Sequence, residues 1–295
     1  MRLLRGWLLV SMAALGVAVL CGSVAWANPP EVQNAGTAHV FYARGQAGRH
    51  GPSSKVLLIA HGGPVMSSGA AVTAIFWGTS WPSYSGDKIS GIDSFYSGIS
   101  GSDYVKTNTE YADPSGNHVS STVGYVRHLI DGTSAGTRDP GTGGVLAEVS
   151  KEISNPSTNG YYAVYTDIPR GSARYCAWHS SGTSNGVVVQ FAFFFKLDGD
   201  AGCDPGDTTS GHSQGLAAIA NVSGHELSEA LTDPHLNAWY DSQGAENADK
   251  CAWTFNGLEE FSNHTSWLIQ GNFSNAAYTN NRSGYDGGGC INGNP

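Results

Sequence analysis

Residues 187–195 read VVVQFAFFF, a run that is apolar at every position except Gln190. A strand with one face in water alternates apolar and polar residues, whereas a strand covered on both faces has no need to. This run therefore predicts a central strand with structure packed on each side. Residues 55–60 (KVLLIA), 72–77 (VTAIFW) and 161–166 are further β-prone runs, with shorter β stretches expected around Tyr104 and over 123–126. Helical spacing of three and four appears over 87–100, through Ile89, Ile92, Phe95, Tyr96 and Ile99, and over 145–153, through Val145, Val149 and Ile153. The strongest helix covers 215–231, with Leu216, Ile219, Val222, Leu227 and Leu231 broadly on one side and Pro234 as its stop. The strands and helices follow no regular βαβ rhythm. The expected fold is α+β: a mixed β-sheet with the 215–231 helix buried against one face.

The first 27 residues have a different purpose. Arg2 and Arg5 precede an uncharged apolar run, and Ala25-Trp26-Ala27 supplies a small-x-small site, the pattern of a secretory signal peptide cleaved after Ala27. The run is shorter than the roughly 20 residues a spanning helix needs. Residues 28–54, rich in Gly, Pro and polar residues, read as an extended arm, and 55–295 as a single domain with no internal repeat and no linker.

Secretion accounts for two other features. Charged residues make up 13% of the chain, against roughly 25% in ordinary globular proteins. Without Arg2 and Arg5 the balance is 13 basic against 24 acidic residues, a net charge of −11. The scarcity and scatter of Lys and Arg argue against nucleic-acid binding. Four cysteines follow the signal, as expected for two disulfides in an oxidising compartment. The shorter loops are closed by Cys176 with Cys203 and Cys251 with Cys290, though four cysteines allow other pairings.

The chemistry-bearing motif sits in the best helix: Gly224-His225-Glu226-Leu227-Ser228-Glu229, continuing to Asp233-Pro234. Residues four apart share a helix face, so His225 and Glu229 can ligate one metal. Glu226, about 100° further round, can reach a metal-bound water without ligating. This is the geometry of the His-Glu-x-x-His helix of zinc peptidases with its second His replaced by Glu. A third ligand is expected from Glu246-x-x-Asp249, by analogy with peptidases in which a downstream Glu-x-x-Asp helix supplies it. Glu246 would bind the metal and Asp249 would fix the His225 tautomer, or the two would exchange roles. Six acids fall between His225 and Asp249. The plain alternative is a solvated acidic helix face.

Several short segments follow one another along the chain: HGGPVM at 61–66, AIFWG at 74–78, Tyr175-Cys176-Ala177-Trp178-His179 after the YYAVYTD run, HELSEALTDP, NAWYD, the Glu-x-x-Asp-x-Cys segment, Leu268-Ile269-Gln270 and Ser274-Asn275-Ala276. Their order resembles that of the phosphate-induced protein 1 family, also called the EXORDIUM family. The likeness spans roughly residues 35–290. The chain departs from the family's usual Glu-Ile-Gly-Asp run by having Glu246-Asn247-Ala248-Asp249, which keeps both acids, and its tail between Asn275 and Cys290 is long and polar. The resemblance implies a secreted, extracellular protein, or a periplasmic one in a Gram-negative cell.

Two functions remain open at this point. One is a secreted zinc-dependent hydrolase acting on peptides, with Glu226 catalytic and His225, Glu229 and Glu246 or Asp249 on the metal; the helix motif would bring a zincin-like arrangement with it. The other is a non-catalytic protein binding cell-wall polysaccharide or a partner, in which any metal is structural or the site is degenerate. His61, His212, His264 and Tyr240 are further candidates for the site, and His179 reads most simply as packing beside the Cys176 disulfide. Trp77, Trp81, Trp178, Trp239, Trp253 and Trp267 offer either a sugar-stacking surface or core packing. Ser228 lacks the Gly-x-Ser-x-Gly setting of a nucleophile.

Overall fold

The computed structural model describes residues 32–33, 35–46, 56–280 and 288–295. The expected signal peptide and much of the expected arm lie outside these residues. Strands β1 (Val32–Gln33), β2 (His39–Tyr42), β4 (Ala70–Trp77), β5 (Val123–Asp131), β6 (Gly160–Pro169), β7 (Tyr175–Ser184) and β8 (Val187–Lys196) form one mixed sheet. Its order is β1-β7-β8-β6-β4-β5, with β2 also paired to β7. From β5 to β8 the neighbours run parallel; β7 and β2 are antiparallel additions at the other side. A separate pair joins β3 (Ile59–Ala60) to β9 (Trp239–Tyr240).

The expected α+β class is observed. Strand β8 is flanked by β7 and β6, and 189–195 is buried without interruption, as its composition requires. The β7–β8 hairpin turns at Asn185 (φ 48°) and Gly186 (φ 78°), the pair of left-handed conformations that a two-residue type I′ turn demands. Among the described residues, five α-helices accompany the sheet: α1 (Lys88–Gly98), α2 (Asp103–Lys106), α3 (Gly141–Glu152), α4 (Gln214–Thr232) and α5 (Asn275–Thr279).

Alternation along β7 assigns α3 and α4 to opposite faces. Trp178 Nε1 donates to Asp139 at 2.8 Å, and Ser184 Oγ lies 2.7 Å from Ser150 Oγ on α3, so the even positions look toward α3. His179 looks the other way, toward α4. Helix α4 starts at Ser213, whose Oγ accepts from the Leu216 N–H at 3.2 Å. From Gly215 to Thr232 every residue is buried. A helix covered all round is an internal one, and the solvated acidic face is thereby excluded. Helix α1 crosses α4 closely at Gly91, where a Cβ would stand 2.3 Å from a Leu216 methyl.

Three local expectations differ. The KVLLIA run is not the buried strand its composition suggests: Leu58 reaches the core but Leu57 and Ile59 are exposed, because only 59–60 pairs, and with peripheral β9. Tyr104 lies in α2 rather than in a β stretch, since Ser102 caps a helical turn there by accepting from the Val105 N–H. Residues 39–42 of the expected arm belong to the main sheet. Both disulfides join as the shorter loops suggested, Cys176–Cys203 and Cys251–Cys290. Among the described residues, no helix is long and apolar enough to cross a membrane.

Candidate metal centre

The centre lies between α4, the paired strands β2 and β7, and the loop from Asp241 to Cys251. Helix α4 supplies His225, Glu226 and Glu229, all fully buried. The antiparallel register sets His39 of β2 directly opposite His179 of β7, with ring centroids 5.6 Å apart, so both rings face α4.

Glu246 and Asp249 do not form the α-helical pair their spacing suggested; Glu246 lies in a loop and Asp249 opens a 3-10 turn, Asp249–Cys251. A buried polar network fastens this loop to α4. Asn247 Nδ2 donates to Asn108 Oδ1 at 2.6 Å, Asn108 Nδ2 donates to Ser228 Oγ at 2.7 Å, and Thr232 Oγ1 donates to Asn247 Oδ1 at 3.3 Å. Ser228 is therefore a fastening residue. The Asp249 N–H donates to Glu229 Oε1 at 3.1 Å, which brings the loop acids against the helix acid. The Cys251 disulfide follows at once.

Glu229 is the hub. His225 Nε2 lies 3.0 Å from Glu229 Oε1 and 3.7 Å from Asp249 Oδ1. His179 Nε2 lies 3.4 Å from Glu229 Oε2 and 3.5 Å from Glu246 Oε2. His39 Nε2 is 2.7 Å from Asp249 Oδ2, and its Nδ1 is 3.4 Å from Glu246 Oε1. Three overlapping sets have ligand-capable atoms mutually within 4.8 Å: His225, Glu229 and Asp249; His39, Glu229 and Glu246; and His179, Glu226 and Glu229. Several groups here can hold a metal ion. All the residues expected from the sequence, His225, Glu226, Glu229, Glu246 and Asp249, come together.

Sequence reasoning passed over His39 and misread His179. Nothing in the spacing pointed to His39. His179 shares a strand with Cys176 but occupies a position of opposite parity, so it points away from that side chain; strand alternation held the signal. His61 stacks on Tyr240 at 3.5 Å, His212 stacks on Trp267 at 4.1 Å, and His264 pairs with Glu260 at 3.3 Å, so these candidates are engaged elsewhere. The six tryptophans are buried or half-buried.

Charge crowding shapes the centre. Burial works against an imidazolium at His39, but the carboxylates of Glu246, Asp249 and Glu229 outweigh it and raise its pKa to about 10. Burial also opposes charge on His179, where Glu229 wins and the pKa is again raised. Burial followed by the charge of Glu229 pushes Glu226 well above the usual carboxylate range. Burial likewise pushes Glu246 well up. Glu229 moves well down: burial opposes its charge, but His225 and His39 more than compensate.

Many polar atoms here have no hydrogen-bond partner: His179 Nδ1 and Nε2, both oxygens of Glu226, Glu229 Oε2, Glu246 Oε2, His225 Nε2 and Asp233 Oδ2. Each such buried atom costs about 1–3 kcal/mol. A cation among imidazole nitrogens and carboxylate oxygens removes that cost, and this donor set suits zinc. Asp131, Glu148 and Glu152 form another acidic group, but the Lys151 ammonium already occupies it, 3.1 Å from Glu148 and 3.3 Å from Glu152. Comparison with family models, with curated proteins and with solved structures returns no match for this chain.

Proposed function

We propose that the chain is a secreted zinc-dependent hydrolase acting on peptides, of the phosphate-induced protein 1 (EXORDIUM) kind. The carrying observation is Glu226: both its oxygens are buried and unpartnered, and it stands among ligand-capable atoms of His179 and Glu229. Bound zinc supplies Lewis acidity, polarising a carbonyl and acidifying water. Glu226 accepts a proton from the attacking water and returns it to the leaving amine. Glu229 and the Glu246–Asp249 loop hold the ion, and the Asn108–Ser228–Asn247 network keeps that loop against the helix. A buried motif helix packed on a mixed sheet supports a zincin-like arrangement, and the two disulfides support an extracellular or periplasmic location.

The test is elemental analysis of the purified mature protein together with hydrolysis of a mixed peptide library. The wild type is expected to carry zinc and cleave peptides, while Glu226→Gln keeps zinc and loses roughly 10²–10⁴-fold in rate, the usual worth of a positioned acid–base group. Unchanged hydrolysis by Glu226→Gln sinks the mechanism.

Burial favours a second reading, a closed structural zinc centre. His39 is about one-fifth exposed, while Glu229 is fully buried and His179 nearly so. Structural zinc sites are closed, whereas catalytic ones keep an open position. This reading expects bound zinc without cleavage of any peptide. Polysaccharide stacking on tryptophan draws no support from the six candidates, none of which is exposed.

A further inference from the structure

Resting on the zinc reading above, we propose that the ion is ligated by His179 of β7 with Glu229 and Glu246, and that His225 of the motif helix is a positioning residue rather than a ligand. Three atoms carry the assignment. His179 Nε2, Glu229 Oε2 and Glu246 Oε2 are buried, and none has a hydrogen-bond partner. The nitrogen is 3.4 Å from one oxygen and 3.5 Å from the other. Ligand atoms placed tetrahedrally at zinc bond lengths of about 2.0–2.2 Å stand roughly 3.3–3.6 Å apart. Both separations from His179 Nε2 fall in that range. Two carboxylates and a neutral imidazole also balance the double charge of zinc, which lowers the cost of holding it in a buried place.

The tautomer of His225 is set by Gln270. Gln270 has its amide fixed from both ends: Nε2 donates to the Ala248 carbonyl at 2.7 Å, and Oε1 accepts from the Trp253 N–H at 3.3 Å. The second Nε2 hydrogen faces His225 Nδ1 at 3.0 Å. Nδ1 must therefore accept, and the ring proton sits on Nε2. A protonated nitrogen is not a ligand. Nε2 lies 3.0 Å from Glu229 Oε1 without a hydrogen bond to it, and that oxygen receives the Asp249 N–H. Asp249 Oδ2 is taken by His39 Nε2. One oxygen of Glu229 is thus held by the loop, leaving Oε2 for the ion. Phe41 stacks on the His225 ring at 3.7 Å and fixes its plane.

Glu226 has a ligand-capable atom within 4.8 Å of those of His179 and Glu229, so it would stand beside an ion held there. An acid–base residue beside the ion is what the hydrolytic reading requires, and in the helix set the His225 Nε2 carries the ring proton, because Nδ1 accepts from Gln270.

The test is zinc and cobalt(II) loading of the mature chain, read by X-ray absorption for the number of coordinated imidazoles and by chelator competition for affinity. Near-ultraviolet circular dichroism checks that each variant is folded. One imidazole is expected in the wild type. His225→Gln keeps that imidazole and weakens binding by about 10–100-fold, as loss of an outer partner does. His179→Gln loses the imidazole signal and binds more weakly than His225→Gln. Loss of the imidazole in His225→Gln overturns the assignment, and that variant decides the matter if His179→Gln does not fold. Two imidazoles in the wild type also overturn it, while leaving the zinc reading in place. No zinc in the wild type overturns both.

Discussion

His179 on β7 and Glu229 on α4 meet at 3.4 Å, fully or almost fully buried, with His179 Nε2 and Glu229 Oε2 both lacking a hydrogen-bond partner. An interior that holds such a pair beside Glu226 and Glu246 is stabilised by whatever cation joins them. Zinc that binds only the folded state adds about 4 kcal/mol when present at a thousandfold excess over Kd. For a chain of this size that corresponds to a shift in Tm on the order of 10 °C. Dialysis against a chelator should therefore lower the Tm, and stoichiometric zinc should restore it. Identical melting curves before and after chelation would leave the orphaned atoms without a cation.

Removal of the fastening network gives a second expectation. Ser228 Oγ receives from Asn108 Nδ2 and donates to Asn108 Oδ1, with Asn247 Nδ2 3.3 Å away. Ser228→Ala strips partners from two buried amides and should cost about 1–3 kcal/mol. Because Asn247 lies between Glu246 and Asp249, the same variant should also weaken zinc binding. Denaturant unfolding and chelator competition on one preparation check both effects. A loss of stability with full zinc affinity would mean that the loop is held by other contacts.

The legible part of this molecule was what short-range pattern encodes. The apolar run of β8 and the 3.6-residue period of α4 announced a covered strand and a buried helix, and both occur. The motif acids were found for the same reason: their spacing on one helix is local. His39 was invisible because its relevance comes from the β2–β7 register, which pairs it with a residue far along the chain. The Glu246–Asp249 pair lies against the helix acids, but not as the helix its spacing and the peptidase analogy suggest. Identical i, i+3 spacing serves an α-helix or a loop with a 3-10 turn, and here the Asn247 contacts and the Cys251 disulfide decide between them.

The Cys251–Cys290 bridge closes a segment of sequence separation 39. Chain-entropy arithmetic for a loop of that length gives about 4 kcal/mol, within the usual range for native bridges. The double substitution Cys251→Ala with Cys290→Ala should lower the denaturant midpoint accordingly. Cys251 also ends the turn that begins at Asp249, so the variant should lose zinc affinity along with stability. Midpoints and competition titrations side by side test this; an unchanged midpoint would make the bridge thermodynamically idle.

Away from the centre, Glu148 on α3 offers a pH-dependent expectation. Burial pushes its carboxyl up to about 7; hydrogen bonding to Lys151 pulls the other way, and Asp131 adds to the rise. Asp131 is driven well below its ordinary value, since Lys151 more than offsets burial there. The sign for Glu148 follows from proton counts. Between its ordinary value of 4.5 and about 7, the folded state keeps a proton that the unfolded chain has released. Stability from this group is therefore full below the lower value and declines as pH rises through the window. Glu148→Gln imitates the protonated acid and removes the decline. At pH 8 the variant should be more stable than the wild type by about 1–3 kcal/mol, and at pH 4 the two should nearly coincide. Urea midpoints across that range, taken as variant minus wild type, isolate the contribution of Glu148. A flat difference would mean that this carboxylate is ionised in the native protein throughout, held charged by Lys151.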